Sequence, residues 1–63
     1  MFTNAEMIKM IIKEKGMTLY EVHKRMNYAG YVYKSFEDNK FTEKFIRKLE
    51  AILGEDLSIF INC

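Results

Sequence analysis

Residues 18–37 read TLYEVHKRMNYAGYVYKSFE and contain two short helix signals separated by a turn signal. The first helix signal begins with Thr18 and Glu21, which have capping-box spacing: a hydroxyl at the N-cap and a carboxylate three residues later. The inward positions of this helix are Val22 and Met26. The pattern predicts a helix over 18–26.

A tight turn and a second short helix follow in the same segment. Asn27 suits the turn because asparagine tolerates a positive φ better than most residues. The next helix is predicted over 29–37, with Tyr33 and Phe36 facing inward three residues apart. Asp38, Asn39 and Lys40 then form a polar turn.

The chain before this segment predicts one longer helix, over 4–15. Thr3 and Glu6 have the spacing of another capping box, and Gly16 suits the left-handed position that ends many helices. Between them, apolar residues recur at the spacing of one helical stripe: Ile8, Ile11 and Ile12.

The chain after it predicts a fourth helix, over 43–53. Thr42 is its N-cap, and Phe41 and Ile46 have the spacing of a hydrophobic staple. Gly54 ends the helix. The buried stripe is predicted to contain Phe45, Leu49, Ile52 and Leu53.

Residues 56–61 predict a last helical turn or two and complete a compact all-α bundle of five short helices. One turn cannot point all its apolar residues inward, so either Leu57 and Phe60 or Leu57 and Ile61 face the core. The rest would be exposed. We therefore expect a homodimer contact through Ile59, Phe60 and Ile61, the alternative being a hydrophobic lid over the first helix.

The composition of the 63-residue chain fits one domain, predicted to span 1–63. It is 49% hydrophobic and 30% charged, and the absence of proline argues against a β-sandwich. No apolar run is long enough to span a membrane, which favours a cytoplasmic location. A single cysteine and a single histidine, Cys63 and His23, cannot form a disulfide or a zinc site, and no catalytic constellation is visible. We expect no metal, no cofactor and no enzymatic activity.

The order and spacing of the helix signals resemble the lambda-repressor-like family, also called Cro/CI or XRE-type. The residues that carry the resemblance are Ile8, Ile11 and those at 13–18, 21–22, 26–27, 36–40 and 49–54. The resemblance implies a five-helix fold with a helix-turn-helix, and a small transcriptional regulator that binds duplex DNA as a dimer. It also implies that the helix over 29–37 reads the DNA, as in a repressor or Cro-like protein of a phage or mobile element.

The DNA-contacting residues are expected on that helix, in the turn after it and at the start of the fourth helix. Lys34 can reach a guanine edge or a phosphate, and Ser35 can bond to either. Tyr31 can bond a phosphate or pack on a thymine methyl. In the family layout Lys40 and Lys44 lie on the same side and suit phosphate contacts.

A second hypothesis is a protein-interaction module that keeps this scaffold without base reading, such as an antirepressor or an inhibitor of a host or defence protein. No Arg, Asn or Gln lies between residues 28 and 38, Gly30 stands at a usual reading position, and the net charge is only +1. Leu19, at the start of the second helix, cannot hydrogen-bond a phosphate. The protein-facing patch would then comprise Leu19, Tyr20 and Tyr31.

Overall fold

A computed structural model of the chain describes residues 1–27 and 31–62, and these are all-helical. No strand occurs in these two ranges, which confirms the predicted all-α class. The helices are α1 (Asn4–Glu14), α2 (Leu19–Met26), α3 (Tyr31–Asp38) and α4 (Glu43–Leu53), followed by one 3-10 turn (Ser58–Phe60).

Side-chain caps begin three of the helices, as the sequence predicts. Thr3 and Thr18 form complete capping boxes, in which the hydroxyl accepts the N–H of the glutamate and the carboxylate accepts the N–H of the threonine. The Thr42 hydroxyl accepts the N–H of Phe45 at 3.2 Å. Each cap satisfies backbone donors that the first helical turn leaves without a partner.

Left-handed residues end the helices. Asn27, at φ 56°, closes α2, as predicted. Asn39, at φ 55°, closes α3 in a Schellman arrangement: its N–H donates to the Phe36 carbonyl, and the N–H of Lys40 donates to the Ser35 carbonyl at 3.1 Å. Asparagine adopts this conformation at lower cost than other non-glycine residues.

One apolar core joins all the elements, and α2 contacts both α3 and α4. At its centre three aromatic rings pack at centroid separations of 5.3 to 6.2 Å: Phe36, Phe41 and Phe45. The largest side chains with almost no exposed surface are Phe41, Ile8, Ile46, Leu49, Leu57, Val22 and Val32.

The inward face of α3 differs from the prediction. Tyr33 is 42% exposed, whereas Val32 is fully buried and shares the inward face with Phe36. Positions i and i+4 lie on one helical face, so Val32 with Phe36 forms as good a stripe as Tyr33 with Phe36. Tyr33 instead packs beside α2, with its ring centroid 5.0 Å from that of His23.

The end of the chain also differs, because the predicted helix over 56–61 is a single 3-10 turn. Two carboxylates take the backbone N–H groups that start it: Glu50 accepts from Leu57 at 2.8 Å, and Asp56 accepts from Ser58 at 3.0 Å. Leu57 and Phe60 are buried, which confirms the first of the two predicted inward pairs.

Two asparagines connect the two ends of the chain. The Asn39 side chain accepts the N–H of Ala5 at 2.8 Å and so caps the start of α1. Asn62 donates from its amide to the Asn39 carbonyl at 3.0 Å, and its side-chain oxygen accepts the N–H of Phe41. The α3–α4 loop is therefore hydrogen-bonded to both the first helix and the last residues.

Candidate nucleic-acid interface

The solvent face of α3 carries one lysine and two carboxylates. The side chain of Lys34 is 69% exposed, and its ammonium lies 3.4 Å from the Asp38 carboxylate one turn later. Glu37 is also exposed on this helix. Ser35 is half-buried, and its carbonyl accepts the N–H of Lys40. Lys34, the one lysine of α3, therefore shares its charge with an acidic neighbour.

The other two predicted DNA contacts flank the α3–α4 loop. Lys40 follows the left-handed Asn39, and Lys44 lies in the first turn of α4; both are exposed. Neither makes an ion pair within the part of the chain that the structure describes. Residues 31–44 carry three lysines and three carboxylates, so this surface has no net charge.

Residues 28–30, which connect α2 to α3, lie outside the described residues. Gly30, predicted to stand at a usual base-reading position, is one of these residues. Tyr31 is the first residue of α3, but its side chain is also outside the described part. The predicted contacts of Tyr31, with DNA or with protein, therefore remain predictions.

The exposed surface of α2 presents an aromatic ring with a cation above it. Tyr20 is 60% exposed, and the Lys24 ammonium lies 5.6 Å from its ring centroid. Leu19 is half-buried and packs against the core. His23 faces α3, and its Nδ1 is buried without a hydrogen-bond partner among the described residues. Its imidazole therefore acts there as a packing group.

An apolar groove of about 340 Å³ lies at the junction of α1 and α2. Its lining residues are Lys9, Ile12, Lys13, Met17, Thr18 and Leu19. The Lys9 ammonium also lies 5.9 Å from the ring centroid of Phe36, so this lysine spans from the groove to α3. Helical periodicity alone does not reveal this groove, and its one local signal is the pair of lysines four residues apart on α1.

A charged cluster surrounds Arg47 on α4. Its guanidinium bonds Glu50 and Ser58 at 3.1 Å each and Glu43 at 3.4 Å. The bond and charge of Glu50 raise the pKa of Arg47. The backbone N–H of Ser58 lowers the pKa of Asp56 below its ordinary value of 3.8. These bonds hold the 3-10 turn against α4.

The three residues expected at a dimer contact are separated by the fold. Ile59 is 83% exposed, Phe60 is buried in the core, and Ile61 is half-buried against it. A contact with a second copy through this segment would therefore rest on Ile59.

Within residues 1–27 and 31–62, no group of His, Cys, Asp or Glu is arranged to hold a metal ion. No helix in these ranges is long and apolar enough to cross a membrane. No known protein family, curated protein or solved structure matches the chain.

Proposed function

We propose that this chain is a small Cro/CI-like transcriptional regulator that binds duplex DNA through α3. The observation that carries the proposal is the pairing of α2 with α3. Two eight-residue helices contact each other, the first ends at a left-handed Asn27, and the second exposes Lys34. A short helix supported in this way fits the major groove of B-DNA, which admits an α-helix.

The lysines divide between base and backbone roles. Lys34 is the base-side cation, and DNA binding exchanges its exposed ion pair with Asp38, which contributes at most about 0.5 kcal/mol, for a phosphate or a guanine edge. Lys40 and Lys44 have no carboxylate partner among the described residues, so they are available to phosphates. Ser35 and Tyr31 supply hydroxyl contacts in this arrangement.

Fluorescence anisotropy with a short duplex of random sequence tests the proposal. A dimer with about three to five phosphate contacts per protomer gives a salt slope of about −5 to −9. Lys40→Ala and Lys44→Ala each reduce the slope by about one per protomer, whereas Lys34→Ala also flattens any sequence preference. Lys13→Ala on α1, which changes the net charge by the same amount as these variants, leaves the salt slope unchanged. Absence of binding at about 50 mM salt overturns the proposal.

The homodimer in this proposal rests on Ile59, whose large exposed side chain is the feature that supports it. Ile59→Asp gives a folded monomer, with Met10→Asp, at an exposed position of α1, as the control with an equal change of charge. Sedimentation at several concentrations distinguishes the two states. A wild-type chain that is monomeric at high micromolar concentration contradicts the dimer.

A second candidate function, protein interaction on the same scaffold, is favoured by the surface at the start of α2. Tyr20 is largely exposed, and Leu19 lies at the edge of an apolar groove. Tyrosines and apolar grooves are typical of protein-binding surfaces. The segment 31–44, with its equal numbers of lysines and carboxylates, adds weight to this candidate. An antirepressor or an inhibitor of a host or defence protein would bind its partner through such a surface.

A further inference from the structure

The groove between α1 and α2 has an apolar interior and a basic edge. Ile12, almost fully buried, forms part of its floor, and Met17 and Leu19 are half-buried beside it. A volume of about 340 Å³ is at the lower end of ligand-binding clefts. Methionine side chains repack easily around different apolar groups, which suits a docking surface.

The charges around the groove have one sign. Lys9 and Lys13 line it from α1, and no carboxylate is among its lining residues. The Glu21 carboxylate, which bonds Thr18, is engaged in the capping box of α2. Lysines four residues apart lie on one face of a helix, about 6 Å apart at their Cβ atoms. Carboxylates three or four residues apart on a partner helix have the same spacing.

We infer that this groove docks an acidic amphipathic helix of another protein, with one apolar side chain in the groove and carboxylates paired to Lys9 and Lys13. This inference rests on the second candidate function and is independent of DNA binding. It follows the mode in which a helix lays its apolar face into a groove and charges set its orientation.

Two other occupants fit the groove less well. A phosphate backbone would meet the two lysines but leave the apolar floor uncovered. A second copy of the chain that presented its exposed Ile59 would bring neighbouring carboxylates that are already engaged: Glu55 pairs with Lys15, and Asp56 bonds Ser58. An external acidic segment matches both the floor and the rim.

A synthetic helical peptide is the probe for this inference. It has about 16 residues, long enough to form helix, with a central leucine flanked by glutamates at helical spacing. Titration followed by NMR is expected to shift the Met17 methyl and the backbone amides of Met17 and Leu19. Replacing the glutamates by glutamine, or the leucine by alanine, weakens binding.

Two double variants with the same change of net charge give the decisive comparison. Lys9→Gln with Lys13→Gln weakens peptide binding about three- to thirtyfold and removes its salt dependence. Lys40→Gln with Lys44→Gln leaves peptide binding within about twofold but weakens DNA binding. Failure of the groove and failure of the DNA proposal are thus separate outcomes. Leu19→Gln is a further groove variant, and thermal melts verify that each variant folds.

Several results overturn the inference. One is the absence of groove shifts at millimolar peptide. Another is equal binding of the glutamate and glutamine peptides, or equal loss in both double variants. Shifts of the same groove resonances that depend on protein concentration alone would assign the groove to a second copy.

Discussion

The Arg47 cluster and the Lys9–Lys13 groove both contain cationic side chains, but the two regions of this small domain use their cations differently. Arg47 is bonded to Glu43, Glu50 and Ser58, so its charge is used inside the fold. Lys13 has no ion-pair partner among the described residues, and Lys9 lies only near an aromatic ring.

This difference separates structural charges from charges available to a partner. The carboxylate of Glu50 also receives a backbone N–H from Leu57, so the Arg47 cluster fixes the course of the chain. The lysines of the groove and of the α3–α4 loop fix no backbone in the same way. Variants of the first region should therefore change stability, and variants of the second should change binding.

Both regions rest on one apolar core, and substitutions in that core are expected to change the free energy of unfolding most. Leu49 is fully buried in α4, the helix that also carries Arg47. Leu49→Ala leaves a cavity and lowers the free energy of unfolding by about 2–5 kcal/mol, as does Phe45→Ala. Ile59→Ala, at an exposed position, changes it by less than about 0.5 kcal/mol. Thermal melts of the two core variants within about a degree of wild type would contradict this assignment.

A smaller effect is expected within the Arg47 cluster itself. Glu50→Ala removes the acceptor of the half-covered Leu57 N–H and lowers the free energy of unfolding by about 1–2 kcal/mol. Glu43→Ala removes only an exposed ion pair and costs at most about 0.5 kcal/mol. Denaturant titrations compare the two. Equal losses would mean that the cluster is held by charge alone, and Glu50→Gln, which keeps an acceptor, should recover part of the loss.

Local sequence signals were sufficient for α1 to α4, but not for the 3-10 turn at the end of the chain or for how the helices meet. Each capping box, at Thr3 and at Thr18, spans only four residues, so the sequence alone locates both helix starts. The side-chain oxygen of Asn39 accepts the N–H of Ala5, 34 residues away, and no local sequence pattern indicates this bond. The prediction that Tyr33 faces inward was wrong because Val32 and Phe36 make an equally good apolar stripe on an eight-residue helix.

The candidate sites show the same limit. Lys34, Lys40 and Lys44 are exposed, and their contacts with DNA remain a prediction. The sequence did not predict the pairing of Lys34 with Asp38. The groove needs two helices and a loop to meet, so single-helix periodicity does not reveal it. The spacing of Lys9 and Lys13 on α1 was the one local signal of the groove.

Asn39 offers a test of how far the α3–α4 loop depends on one polar contact. Asn39→Gly keeps the left-handed backbone and loses the bond to Ala5, so it costs about 1 kcal/mol. Asn39→Ala loses the bond and also strains the backbone, so it costs about 1 kcal/mol more. Chemical denaturation measures both. If the glycine variant is as stable as wild type, the side-chain bond to α1 contributes nothing.

The smallest expected effect concerns Asp56, which is exposed in the same region as Arg47. The N–H and hydroxyl of Ser58 stabilise the Asp56 carboxylate, so its pKa in the folded chain lies below the ordinary 3.8. A lowered folded pKa means that the contribution is fully present well above pH 3.8 and is lost as the pH falls through the folded value. Asp56→Asn keeps an oxygen acceptor but cannot titrate, so its melting temperature should fall less steeply below about pH 4 than that of wild type. Glu55→Gln, whose partner is Lys15 rather than a backbone group, is the neighbouring control. Parallel acid limbs in Asp56→Asn and wild type would show that the bonds to Ser58 do not depend on the charge of Asp56, and the structural role of charge at this end would then rest on Arg47 and Glu50.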